Sequence, residues 1–204
     1  MIKTIIFDFG DVFINLDKPA TERELSKLGL KTTRNLDTLE SINQSYETGS
    51  ITTEEFLNHY QQLIPQASIH QIKHAWNVIL KDFPKYRLDF IQKLANKKQY
   101  QLILLSNTNE LHIDWIKKNI SFFTTFKSCF DAFYLSHEIH LRKPNTAIFQ
   151  FVLDTHQIQA NETLFIDDTA ANTDTAHQLG IHVWNNDPST EDIIDLFTIK
   201  SDVF

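Results

Sequence analysis

The sequence predicts an α/β fold, a parallel β-sheet flanked by helices, with a small block of helices inserted after the first strand. Three observations predict it. Short, nearly continuous apolar runs recur along the chain and each breaks off at a polar residue, the pattern of strands buried on both faces. Segments with helical spacing of apolar residues separate these runs. One gap of about 90 residues, 16–100, carries helical patterning but no convincing core strand, and a crossover that long normally holds an additional structure.

The strands read in order. Thr4-Ile5-Ile6-Phe7 stops at Asp8, Leu102-Ile103-Leu104-Leu105 at Ser106-Asn107, and Ala132-Phe133-Tyr134-Leu135 at Ser136. Thr163-Leu164-Phe165-Ile166 stops at Asp167-Asp168, and Ile181-His182-Val183-Trp184 at Asn185-Asn186. Helices are expected over 86–96 and 147–156, and over 173–179 with Gly180 as its stop. Ser189-Thr190-Glu191-Asp192 has the form of a helix start. Within the gap, helices are expected over 21–28, 36–46, 52–63 and 68–80, with Thr52 and Glu55 as a capping box. The division that follows is a core of 1–15 and 86–204 and a helical cap of 16–85, set over the sheet's carboxyl edge.

Composition narrows the function. The 204 residues suit one domain with a sizeable insertion, and sixteen Phe against four Gly and five Pro argue for a packed core. A net charge of −7 leaves no basic surplus for a nucleic-acid backbone, whereas a local pocket of lysine and helix N-termini can still take a small phosphorylated substrate. Cys129 is the single cysteine, flanked by Phe126 and Phe130, and reads as a buried structural thiol in a reducing compartment. The apolar run before Asp8 is too short for a signal peptide, and no segment has the length of a membrane span. The expectation is a cytoplasmic protein with no membrane partner.

In open α/β sheets, ligands bind beyond the carboxyl ends of the strands. Asp8, Ser106-Asn107 and Asp167-Asp168 terminate strands there, and Lys143 precedes Pro144 at an expected helix start. An aspartate can attack phosphorus only if cations offset the repulsion between two anions, the task of a lysine and a divalent metal. Oxygen ligands from Asp8, Asp167 and Asp168 suit Mg²⁺. The Ser106 hydroxyl and the Asn107 N–H can hold phosphoryl oxygens. Each residue also has a plainer reading: Asp8 as a turn former, Asp167-Asp168 as helix caps, Lys143 as a surface lysine. Together in this order they favour the chemistry.

Four stretches carry a family resemblance: Phe7-Asp8-Phe9-Gly10-Asp11-Val12, Leu105-Ser106-Asn107-Thr108-Asn109, Arg142-Lys143-Pro144-Asn145, and Phe165-Ile166-Asp167-Asp168-Thr169-Ala170-Ala171-Asn172. They resemble the four motifs of the haloacid dehalogenase-like hydrolase superfamily, whose core is Rossmann-like. Tyr46-Glu47-Thr48-Gly49 and Ala75-Trp76-Asn77 are similar to its sugar-phosphatase branch, which includes bacterial α-glucose-1-phosphatases. The resemblance implies Asp8 as nucleophile, phosphate contacts from Ser106 and Lys143, and metal ligation by Asp8, the Gly10 carbonyl and Asp167-Asp168. Trp76 and Asn77 are candidate substrate-binding residues in the cap; His112 and Trp115 follow the second motif closely enough to border the site.

Two positions depart from the pattern. Gly10 stands where phosphatases of the superfamily usually carry a second Asp as general acid and base, and Asp11, one position on, should point elsewhere. His140 stands where a glycine is common, so a left-handed backbone there would be strained. The expected activity is hydrolysis of a small phosphate monoester, with a sugar phosphate as a candidate. A haloacid dehalogenase, in which Asp8 displaces halide without a metal, is the alternative; the Asp167-Asp168 pair weighs against it. A non-catalytic protein that binds a phosphate ligand is the third reading, with Gly10 as its mark. His70 and His74 share a helix face but have no evident third ligand.

Overall fold

The computed structural model describes residues 1–31 and 36–204; residues 32–35, within the expected cap, lie outside the described residues. Five strands, β1 (Thr4–Phe7), β2 (Gln101–Ser106), β3 (Ala132–Leu135), β4 (Thr163–Asp167) and β5 (His182–Asn185), form one parallel sheet in the order β3-β2-β1-β4-β5. Alternate residues of the central strands enter two separate clusters. Ile5, Phe7, Leu104 and Ile166 face one, while Ile6, Ile103 and Phe165 face the other. This two-sided burial is why the runs read as continuously apolar.

The first face packs on α5 (Lys85–Lys97), α6 (Glu110–Asn119) and α7 (Phe123–Lys127), through Leu88, Ile91, Ile113, Ile116, Phe123 and Phe126. The second packs on α9 (Thr146–His156) and α10 (Ala170–Gln178), through Ile148, Phe149, Val152 and Ala176. Many of the phenylalanines converge beside β1: Phe126 stacks on Phe9 at 5.2 Å and meets Phe13 edge-on at 4.9 Å. Each such buried side chain contributes about 1.5–3 kcal/mol. The cluster therefore braces the loop that follows Asp8. Arg87 braces it from another side, donating to the Phe13 carbonyl and Asn15 Oδ1 while its other nitrogens grip the Asp192 carboxylate.

Between β1 and β2 lie α1 (Ala20–Lys27), α2 (Leu36–Glu47), α3 (Thr53–Leu63) and α4 (Ile69–Asn77). Leu25, Tyr46, Phe56, Tyr60 and Trp76 form a third cluster there, joined by Leu111 of α6. Thr52 and Glu55 make the expected capping box, and Ser68 with Gln71 makes a second. No helix among the described residues is long and apolar enough to cross a membrane.

Three expectations need correction. Ser189-Thr190-Glu191-Asp192 does not open a full helix; Asp192 caps a 3-10 turn, Ile193–Asp195, that leads into the short α11 (Leu196–Ile199). Asp187 takes hydrogen bonds from Ser189 and Thr190, and Trp184 Nε1 donates to Glu191, so these side chains are committed elsewhere. The helix expected over 173–179 begins earlier, at Ala170, directly after Asp167-Asp168. Cys129 is half-buried rather than buried; its Sγ donates to the Thr125 carbonyl at 3.3 Å, and the partial burial pushes the thiol up from its ordinary pKa.

Candidate active site

The chain order of the strands reverses between β1 and β4, and that crevice is where such sheets place ligands. Phe7 pairs with Ile166, so Asp8 and Asp167 leave adjacent strands side by side. The Asp8 N–H donates to the Ile166 carbonyl at 2.8 Å and extends the ladder to the aspartate itself.

Lys143 is buried between these two acids. Its Nζ lies 2.6 Å from Asp167 Oδ2 and 2.8 Å from Asp8 Oδ1, with the Phe165 ring 5.3 Å away. Asn107 holds the lysine backbone at two points: its Nδ2 donates to the Lys143 carbonyl, and its Oδ1 accepts from the Lys143 N–H. Burial works against the Lys143 ammonium, but Asp167 and Asp8 outweigh it and hold its pKa above the ordinary lysine value. Burial pushes the Asp8 carboxyl up to about 7, against the pull of Lys143 and with a further push from Asp167.

Asp167 and Asp168 have different surroundings. Asp167 is fully buried; Oδ1 accepts from the Thr169 N–H and Asn172 Nδ2, and Oδ2 from Asn172 and Lys143. Asn172 thus orients this carboxylate instead of facing solvent. Asp168 turns toward Lys18, a residue the sequence did not single out, whose Nζ contacts Asp168 Oδ2 and lies 3.1 Å from Asp11 Oδ2. Burial lifts the Asp168 pKa, opposed by Lys18. One oxygen from each of Asp8, Asp167 and Asp168 lies within 4.8 Å of the others, the only such group of potential metal ligands among the described residues. His70 and His74 belong to none.

Gly10 lines the cavity that opens at Asp8. A Cβ on it would come within 2.7 Å of Leu16 Cδ1, so the leucine occupies the space of the usual second aspartate. Asp11 is turned away from the cavity: its backbone is left-handed at φ 53°, and Oδ1 accepts from the Leu16 N–H. His140, which ends the short α8 (Ser136–Ile139), is also left-handed, at φ 57°, as a position suited to glycine requires. Its Nδ1 donates to the Thr48 carbonyl at 2.8 Å, which ties the strained turn to the end of α2.

The cavity at Asp8, of about 340 Å³, lies next to one of about 510 Å³ inside the helical cap. Both are lined by Lys18, Glu47, Ile79, His112 and Arg142. Arg142 NH2 pairs with Glu47 Oε2 at 3.0 Å; burial raises the Glu47 pKa against that pull. His112 stacks on Trp76 at 5.5 Å and donates from Nε2 to the Trp76 carbonyl, while Nδ1 accepts from Asn109. Burial drives its pKa down to about 4, so the ring is neutral. Trp76 lines the cap cavity, whereas Asn77 and Trp115 line a neighbouring groove with His70 and His74. At the β2 tip, Asn107 and Thr108 line the cavity; Ser106 is buried, its hydroxyl 3.4 Å from the Asn107 carbonyl.

At the switch point, then, an aspartate lies beside a buried lysine, the arrangement expected of an α/β hydrolase. The haloacid dehalogenase-like hydrolase model matches residues 2–180, and the chain belongs to this family. It is 30% identical over 190 residues to the D-ribitol-5-phosphate phosphatase of Bacteroides thetaiotaomicron, spanning 90% of this chain and 91% of that protein. A HAD-family enzyme of B. thetaiotaomicron, solved in complex with magnesium and inorganic phosphate, superposes with a TM-score of 0.85 at 36% identity, over 97% of this chain and 100% of that one. A HAD-like hydrolase from Porphyromonas gingivalis superposes with a TM-score of 0.85 at 30% identity, over 98% and 97%. A 2-haloacid dehalogenase from Pseudomonas syringae, at 17% identity and TM-score 0.61, shares the fold.

Proposed function

We propose that this protein is a magnesium-dependent phosphatase for a small phosphate monoester, of the branch that takes sugar or polyol phosphates. The single observation that carries the reading is the environment of Asp8. Its Oδ1 lies 2.8 Å from the Lys143 ammonium and has no other polar partner, so the carboxylate is held beside a cation at the cavity wall. The relatives named for ribitol-5-phosphate hydrolysis and for a magnesium–phosphate complex support the same chemistry.

The donor set fits Mg²⁺. It consists of carboxylate oxygens, one each from Asp8, Asp167 and Asp168 within 4.8 Å of one another. Asp8, Asp168 and the Gly10 carbonyl are the residues that would hold the ion, because the oxygens of Asp167 are taken up by Lys143, Asn172 and Thr169. When bound, the ion supplies positive charge against the repulsion between carboxylate and phosphoryl group.

Asp8 attacks phosphorus, the bond to the ester oxygen breaks, and an aspartyl-phosphate forms as the alcohol leaves. Water then attacks the same phosphorus, and phosphate departs as the Asp8 carboxylate is restored. Lys143 offsets charge on the transferring group, and Asn107 fixes the lysine. Gly10 carries no proton, and both His112 nitrogens are engaged with Trp76 and Asn109, so water protonates the leaving alcohol. The leaving group extends past Arg142 and Glu47 toward Trp76 in the cap cavity.

A panel of phosphate esters and 2-haloacids, assayed with Mg²⁺ and with EDTA, tests the reading. Turnover of sugar or polyol phosphates that EDTA abolishes is expected; halide release that persists in EDTA, with no phosphate released, would overturn it.

A further inference from the structure

The proposed reaction leaves one cation at the site without a task. Lys18 lies in the stretch between β1 and α1, and its ammonium is shared by two acids from distant parts of the chain: it contacts Asp168 Oδ2 at the tip of β4 and lies 3.1 Å from Asp11 Oδ2. The acids are enclosed, with side chains 10% and 7% exposed, while the lysine side chain is 54% exposed. The backbone around it is fixed. Leu16 N–H donates to Asp11 Oδ1, Asp17 N–H to the Ile79 carbonyl, and Ala20 N–H to the Asp17 carbonyl. A solvated, four-carbon stem on a braced backbone can swing without disturbing the fold. Lys18 also lines both cavities, so a short swing keeps its ammonium at the wall they share.

Asp168 is one of the acids assigned above to hold Mg²⁺, so this inference rests on that reading. A divalent cation on Asp168 would come within a few ångströms of the Lys18 ammonium. Lys143 faces the same situation at Asp8 but is buried and also held by Asp167, whereas the exposed Lys18 can move away. We propose that Lys18 is the built-in counter-ion of the Asp11–Asp168 pair and exchanges with the divalent cation at Asp168. Metal uptake then releases the Lys18 ammonium toward the wall shared by the two cavities. Lys18 is thus a positioning residue: it sets how tightly the metal is held and ties metal occupancy to the segment leading into the cap.

Calorimetric titration of Mg²⁺ into the wild type, Lys18→Gln and Lys18→Arg tests the exchange, together with mass-spectrometric measurement of Lys18 acylation with and without Mg²⁺. Removing the competing charge should tighten Mg²⁺ binding about tenfold in Lys18→Gln, while Lys18→Arg, which keeps a cation, stays near the wild type. Mg²⁺ should accelerate acylation of Lys18 severalfold and leave the exposed Lys27 unchanged. Equal or weaker Mg²⁺ binding by Lys18→Gln, or Lys18 acylation indifferent to Mg²⁺, overturns the exchange. If either occurs while the wild type still hydrolyses phosphate esters only with Mg²⁺, the Lys18 inference alone is lost. A wild type that neither binds Mg²⁺ nor releases phosphate overturns the functional reading and the exchange with it.

Discussion

Lys143 and Asp167 form an ion pair of 2.6 Å in which both side chains are fully shielded from solvent. Asp8 lies on the other side of the ammonium at 2.8 Å. The lysine therefore neutralises the floor of the site and gives Asp8 its direction. Breaking a buried pair from one side leaves an uncompensated charge and costs about 3–5 kcal/mol. Lys143→Met should lose stability of that order in urea unfolding, together with turnover. Lys143→Met combined with Asp167→Asn should regain much of the stability and none of the turnover, because the stranded charge is gone but the cation is not restored.

The neutral ring of His112 makes stability depend on pH with a definite sign. Its pKa falls from about 6.5 in the unfolded chain to about 4 in the fold. Between these values the unfolded chain binds the extra proton, so the contribution is complete above pH 6.5 and disappears as the pH falls toward 4. The difference amounts to about 3 kcal/mol. Wild type and His112→Gln, unfolded in urea across this range, should differ by that slope. Asp8, whose raised pKa acts in the opposite direction, is common to both proteins and cancels. Parallel pH profiles would remove His112 as the source.

Gly10 and Leu16 answer the question raised by the missing second aspartate. The Leu16 side chain ends 2.7 Å from where a Gly10 Cβ would lie, and a leucine terminus can move aside. Gly10→Asp should fold and gain a proton donor facing the ester oxygen. A general acid is worth about 10²–10⁴ in rate. The variant should therefore raise kcat on alkyl phosphates by at least about tenfold and leave aryl phosphates, whose leaving groups need no proton, unchanged. An equal gain on both would point to something other than proton transfer.

The five strands were legible because each is buried on both faces and ends abruptly at a polar residue; the same ends announced Asp8, Asp167 and Asp168. Residues whose roles depend on how the cap returns over the sheet were not. Lys18 looks like an ordinary exposed lysine until the β1–α1 segment brings it to Asp168. Glu47 and Arg142 are 95 positions apart and meet only across the seam between cap and sheet. Trp76 and Asn77 looked equivalent, but neighbours on a helix point about 100° apart, and only Trp76 lines the cap cavity. Helices α6 and α7 went unread because the segment between the second and third strands, rich in Phe and Lys, has no clean period; Asn109, capping α6 through the His112 N–H, was the available signal.

The central claim is that Asp8 carries the phosphoryl group. The direct measurement is an acid-quenched single turnover of a phosphate ester with Mg²⁺, the phosphoryl group then located by mass spectrometry, in the wild type and in Asp8→Asn. A phosphoryl group on Asp8 is expected in the wild type, and in the folded Asp8→Asn protein neither adduct nor turnover. A phosphoryl group on another side chain, or full turnover by Asp8→Asn, would contradict it.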